Sequence, residues 1–188
     1  MTAIFALLLT AGVQAKTFDA CGVTFSYPAS WFARADPGDV TDTRLFPKQK
    51  VRCAIGLRPP GWIRRNDASP IDLGNWAVKI LLIDAPFDAA ARERGFVRGA
   101  KEGLEPGQWG IITRQSTQHA DHFRTKWCEA LRGKSWWHER GRRGEIVSPT
   151  SKDAVLSRGG HSALIDSADD EEFSAVISQI IETFRFKH

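Results

Sequence analysis

The 188-residue sequence predicts one α+β domain, an antiparallel β-sheet flanked by helices in an α/β/α sandwich. Three observations carry this. Between Ser167 and Phe186, the residues Phe173, Val176, Ile177, Ile180 and Ile181 recur at i, i+3, i+4, i+7 and i+8, the apolar stripe of an amphipathic helix. Several other stretches alternate apolar and polar side chains with a period of two, as half-buried strands do. The order of these patterns is strands, two helices, more strands, then a helix and a strand, which suits an antiparallel sheet with helices laid on it. Composition agrees: 42% hydrophobic and 26% charged residues with seven Trp exclude a disordered chain.

Residues 1–15 hold an apolar run from Ala3 to Leu9 and small residues at Val13 and Ala15, the pattern of a signal peptide cleaved after Ala15. The segment departs from that pattern in having no Lys or Arg before the run. At seven residues the run is far short of the ~20 needed to span a bilayer. The mature domain would be 16–188, secreted or periplasmic. Gly22 to Tyr27 alternates and stops at Pro28, a strand and turn, with Trp31 to Ala35 as its continuation up to the Asp36-Pro37-Gly38-Asp39 turn. Val51 to Arg58 is a further strand. Asp72 caps a helix to about Leu82, with Leu73, Trp76, Ala77, Ile80 and Leu81 on one face, and a second helix follows Pro86 and closes at Gly95. Trp109 to Thr117, Phe123 to Leu131 and a segment around Trp136 and Trp137 are successive strands, the last two joined by a turn at Arg132-Gly133-Lys134-Ser135. Ala154 to Leu156 and His161 to Ile165 form a hairpin around Arg158-Gly159-Gly160. The final helix runs from about 169 to 182, capped by Ser167 or Asp169, and Thr183 to Phe186 returns to strand period.

Cys21, Cys53 and Cys128 admit three pairings in an oxidising compartment. Cys21 shares strand parity with Val23 and Phe25, and Cys53 with Val51, Ile55 and Leu57, whereas Cys128 has the parity of Arg124 and Lys126. The expected disulfide is Cys21 with Cys53.

Two motifs carry a resemblance. Val23-Thr-Phe-Ser-Tyr-Pro-Ala-Ser-Trp31 resembles the opening strand and aromatic-Pro-x-x-Trp turn of the PsbP-like superfamily, and Phe173 to Phe186 resembles its closing helix and Ser/Thr-Phe-Arg-Phe strand. That fold is shared by the extrinsic photosystem II subunit PsbP, a Ran-binding nuclear import factor and many secreted or lipid-anchored bacterial proteins. The resemblance implies a PsbP-like sandwich over nearly the whole chain. It also implies a binding, assembly or chaperone-like role without a shared catalytic constellation, so no active site is carried over.

Three groups could carry chemistry. His119, Asp121 and His122 are metal-ligating types, but the two imidazoles of a strand at this spacing face opposite ways. His161-Ser162 lacks the second Gly and the strand-to-helix context of a nucleophile elbow. Cys128 has Arg124 and Lys126 nearby to favour a thiolate, but no assigned base. No catalytic residue, metal or cofactor is assigned. The formal net charge is +4, and much of the excess lies between 124 and 143. There Arg124, Lys126, Arg132, Lys134, Arg140, Arg142 and Arg143 outnumber Glu129 and Glu139, interleaved with Trp127, Trp136, Trp137 and His138. The expected ligand site is Arg124, Lys126, Trp136, Trp137, His138, Arg140, Arg142 and Arg143, cationic and aromatic groups that suit an anionic envelope polymer or an acidic protein, with nucleic acid behind them. The leading expectation is therefore a non-enzymatic secreted or periplasmic binding or assembly protein. One alternative is a chaperone-like protein that shelters hydrophobic client segments through Trp62, Trp136 or Trp137. The other is a small envelope hydrolase or metal-dependent enzyme using His119, Asp121 and His122, or Cys128.

Overall fold

The structure, a computed structural model, describes residues 14–40, 50–62, 76–99, 104–112, 117–136, 139–140, 146–147, 150–168 and 171–187. Strands β1 (Ala15–Ala20) and β2 (Val23–Pro28) form a hairpin with a two-residue turn in which Cys21 and Gly22 both have positive φ, 54° and 73°. This is the backbone of a type I′ turn, whose twist matches that of the flanking strands. Then come β3 (Phe32–Val40), β4 (Val51–Arg58), β5 (Val78–Ile83), helix α1 (Phe87–Glu93), β6 (Phe96–Arg98), β7 (Trp109–Ile112), β8 (Thr117–Arg124) and β9 (Glu129–Trp136). After the short pair β10 (Glu139–Arg140) and β11 (Ile146–Val147) follow β12 (Thr150–Arg158), β13 (His161–Ala168), helix α2 (Glu171–Thr183) and β14 (Arg185–Phe186).

Nine strands make the main sheet in the order β3-β4-β5-β13-β12-β9-β8-β7-β6, and β1-β2-β14 make a small second sheet. All the pairings are antiparallel. Alternate residues of the central strands enter two different cores. Ile55, Ile80, Leu82, Leu156 and Ile165 join Phe173, Ile177, Ile180 and Ile181 of α2 and Phe25, Phe184 and Phe186 of the small sheet. Leu81, Ile83, Val155 and Leu164 join Ala90 and Ala91 of α1 with Phe96, Trp109 and Ile111. A buried set of charges adds to the second side: Arg94, the C-cap of α1, pairs with Asp153 and lies 3.6 Å from Asp166, which is 3.8 Å from Lys79.

The two motifs that resemble the PsbP-like family meet in space. Trp31 closes a turn onto Pro28 and packs edge-on against Phe173 of α2, with ring centroids 5.5 Å apart. Phe25 stacks on Phe184 at 5.7 Å, and the Ser26 amide donates to the Thr183 hydroxyl at 2.9 Å.

Several expectations change. Residues 78–83 are a strand and not the end of a helix; they are buried on both faces, so the alternation that marks a strand is lost and the apolar run imitates helical spacing. The first part of that expected helix, through residue 75, lies outside the described residues. Trp31 to Ala35 does not continue β2, because β3 belongs to the other sheet, and Asp36-Pro37-Gly38-Asp39 is a bulged part of β3 instead of a turn. The expected strand 123–131 is divided by a turn at 125–128, and Arg132-Gly133-Lys134-Ser135 lies inside β9. Gly133 is there for close packing: a Cβ on it would stand 3.0 Å from Phe96 and 3.2 Å from Ile111. Strands β1 and β6 are additional to the sequence reading. Ser167, offered as a cap for the last helix, is still within β13, and Asp169 lies outside the described residues. The strand Val51–Arg58, the Pro86 helix and the Gly159-Gly160 hairpin are as expected, and Ile177 and its neighbours form the buried stripe of α2.

Cys21 and Cys53 are joined, with a Cα–Cα distance of 6.2 Å, tying the β1–β2 turn to the main sheet. Their sequence separation of 32 corresponds to about 3 to 4 kcal/mol in the chain-entropy account. The Cys21→Ala/Cys53→Ala variant is expected to lose about that much in urea denaturation; stability equal to the wild type would show that the bridge constrains nothing. Gly56 is the second test. The Trp76 ring lies flat on it, so close that an added Cβ would stand 2.1 Å from the ring. Gly56→Ala should cost about 2 to 3 kcal/mol by overpacking, read as a shift of the denaturation midpoint, and Trp76→Ala should relieve much of that added cost in the double variant.

Candidate anion-binding site

The turn between β8 and β9 is built by one side chain. The Thr125 hydroxyl oxygen accepts hydrogen bonds from the Trp127 and Cys128 amides at 3.1 and 2.9 Å, and the Thr125 amide donates to the Cys128 carbonyl at 2.9 Å. This turn presents Trp127 half-buried against the α2-side core. Lys126 Nζ lies 4.8 Å from the indole centroid, and the Arg185 guanidinium carbon lies only 3.9 Å from it. Cations over an indole face are held by the ring quadrupole. Arg185 comes from β14, between buried Phe184 and Phe186, so strand alternation sends its side chain outward. Arg158 comes from the β12–β13 hairpin and is near enough to Cys128 to act on its thiol by charge. Arg124 ends β8. All four cations are exposed, and none forms an ion pair with a described carboxylate.

The same end of the sheet carries a second polar group. Asp84, just after β5, accepts from His161 at 2.8 Å and lies 3.4 Å from Arg52, whose other nitrogen donates to the Cys21 carbonyl at 3.2 Å. Lys187 pairs with Asp19. Here the carboxylates are paired with neighbouring cations, whereas the four cations near the β8–β9 turn are not.

The structure brings together only part of the expected ligand site. Arg124 and Lys126 stand at one end of β9 and Trp136 at the other, and at ~3.3 Å per residue an eight-residue strand separates them by about 23 Å. Arg140 belongs to β10, beyond that far end. Trp137, His138, Arg142 and Arg143 lie outside the described residues. Arg132 sits mid-strand and is engaged by Asp121 at 3.3 Å. Arg185, which the sequence reading passed over, lies over Trp127, and Arg158, also passed over, is near Cys128 at the same end of the sheet. The available signals were modest: Arg158 precedes a Gly-Gly hairpin turn, and Arg185 alternates with two phenylalanines.

The other groups find separate partners. His122 faces Glu129 at 2.9 Å and the rings of Phe87 and Trp109, whereas His119 is 3.9 Å from Asp121. Among the described residues no three His, Cys, Asp or Glu side chains gather as metal ligands would. Ser162 is fully buried and donates to the Ala85 carbonyl at 2.7 Å, out of reach of a substrate. Trp62 packs against Phe173 with ring centroids 5.5 Å apart. No described helix is long and apolar enough to cross a membrane.

Cys128 does not share the exposed parity of Arg124 and Lys126, because the turn intervenes; it points into the core, with Sγ 3.6 Å from the Phe184 carbonyl. Burial pushes its thiol up from 9.0 to about 11, against the opposing pull of Arg158. The folded state therefore holds the proton more tightly than the unfolded chain, so this group's stabilising contribution is complete below pH 9 and is lost as pH rises towards 11. At pH 8 the thiolate is about a thousandth of the population. Native protein should thus resist iodoacetamide at pH 8 and react once unfolded in urea. Rapid labelling of the native state would contradict the buried thiol.

No family model matches the chain, and no curated protein is similar to it. Among solved structures, the chain is similar to a protein of Bacteroides thetaiotaomicron VPI-5482, with a TM-score of 0.50 and 12% identity over 93% of this chain and 49% of the other. It therefore spans about half the length of that protein. It is also similar to cyanobacterial PsbP (CyanoP) from Synechocystis sp. PCC 6803, known from its solution structure, with a TM-score of 0.42 and 11% identity over 97% and 98% of the two chains. At these identities the likeness concerns the fold alone.

Proposed function

We propose that the protein is a non-enzymatic extracytoplasmic binding protein that holds a phosphate- or carboxylate-bearing envelope polymer at the Trp127 end of its sheet. One observation carries the reading: Lys126 of the β8–β9 turn and Arg185 of β14 both lie over the Trp127 indole, Arg124 and Arg158 are exposed at the same end of the sheet, and none of the four is in an ion pair with a described carboxylate. Guanidinium groups bind such oxyanions through charge-assisted, often bidentate hydrogen bonds, and the indole offers a flat surface to a sugar or acyl segment between the charges. The scaffold would be the α/β/α sandwich, with α1 and α2 covering opposite faces.

Export fits this reading. The Cys21–Cys53 bridge is of the kind that persists in oxidising compartments. Cleavage after Ala15 would remove from the described structure only the first β1 pair, Ala15 with Pro28, and the bond from the Ala29 amide to the Gln14 carbonyl. Lys16 to Ala20 would keep their pairing with β2.

Heparin serves as a polyanion probe. Affinity should fall linearly in a plot of log K against log salt, and Lys126→Ala/Arg158→Ala/Arg185→Ala should flatten the slope by about two to three. Because all three side chains are exposed, the melting temperature should be unchanged. A slope equal to that of the wild type would remove the site.

A further inference from the structure

A separate cavity of about 460 Å³ opens on the other side of the sheet, between α1 and the edge strands β6 and β7. Its volume falls within the ~300–1,000 Å³ typical of small-molecule sites. Phe96, Val97, Trp109 and Ile112 give it apolar walls, and Asp88, Arg92 and Arg98 stand among them. Two features are unusual for a surface with only a structural role. Ile112 is 47% exposed, one of two large apolar side chains so exposed among the described residues. The lining holds two arginines to one carboxylate, and neither Arg92 nor Arg98 is in an ion pair with a described residue; Arg98 lies 5.7 Å from the Trp109 ring.

The geometry points to a binding site for a small amphipathic carboxylate, a medium-chain or aromatic acid whose apolar body lies against Phe96, Trp109 and Ile112. Its carboxylate meets Arg92 and Arg98, and burial of the body covers Ile112. A neutral amphiphile would leave both guanidinium groups without a counter-charge, and a cationic one would be repelled by them. Apolar area therefore supplies attraction, and the arginines supply selection.

The test uses the full chain and two probes, decanoate and 2-naphthoate, followed by isothermal titration calorimetry. Each should bind saturably, one molecule per chain, and decanol should bind about tenfold more weakly for want of a charge-assisted bond. Arg92→Ala/Arg98→Ala, both exposed and so expected to fold, should weaken the acids about tenfold and leave decanol unchanged. Lys126→Ala/Arg158→Ala/Arg185→Ala should leave both acids unaffected, which separates this site from the Trp127 end. Absence of saturable binding at millimolar acid would overturn the proposal, as would equal affinity for decanol or indifference to loss of the two arginines.

Discussion

Strand β5 is buried along its whole length, and its side chains enter two cores in turn: Ile80 and Leu82 on one side, Leu81 and Ile83 on the other. A strand of this kind cannot face water on either side. Full burial of each Leu or Ile is worth roughly 1.5 to 3 kcal/mol only if both faces are covered. The remaining elements meet that demand. Helix α2 and the small sheet close one face, and α1 with the β6–β7 edge closes the other. The neighbours β4, β13 and β12 repeat the pattern through Ile55 and Ala54, Ile165 and Leu164, and Leu156 and Val155.

The same two-sided burial decides what could be seen in the sequence. Helix α2 was legible because only one of its faces is buried, so polarity and period agree. Strand β5 was not, since without polar residues at alternate positions a buried strand and a buried helix look alike. Gly133 and Gly159 show a related ambiguity. One permits Phe96 to approach a strand and the other bends a hairpin with φ of 60°, and nothing local distinguishes the two uses. The Cys21–Cys53 pairing was as expected, although strand parity holds only for Cys53 in β4, since Cys21 sits in the β1–β2 turn. The parity argument then failed for Cys128, because it assumed an unbroken strand where Thr125 folds a turn. The charge-rich segment was plain in composition, but β9 sets Arg124 and Lys126 at one end and Trp136 at the other. Arg185, distant in sequence, joins Lys126 over Trp127 only after the sheet has assembled.

The α1 side combines apolar packing with charge. Arg94 and Lys79 oppose Asp153 and Asp166, two cations against two anions, in a largely buried setting. Such a set adds little net stability relative to apolar residues, since desolvation offsets most of the attraction. Its effect is on geometry: Arg94 caps α1, and its pairing with β12 and β13 fixes where the helix ends and so where Gly95 turns the chain into β6.

The small sheet has a topological consequence. Its middle strand, β2, pairs on one side with β1 at once through a two-residue turn, but on the other side with β14, so that the bond from Ser26 to Thr183 spans 157 residues. Until the end of the chain arrives, the Val23 edge of β2 has unpaired backbone groups, and Phe25 has the Phe18 ring on it but lacks that of Phe184. The Cys21–Cys53 bridge lies wholly within the first third of the sequence and can hold this incomplete hairpin against the main sheet in the meantime. A chain that lost its last twenty residues would therefore not be a shorter version of the same domain. It would present a sticky strand edge and an open core, and quality control in its compartment would recognise it as unfinished.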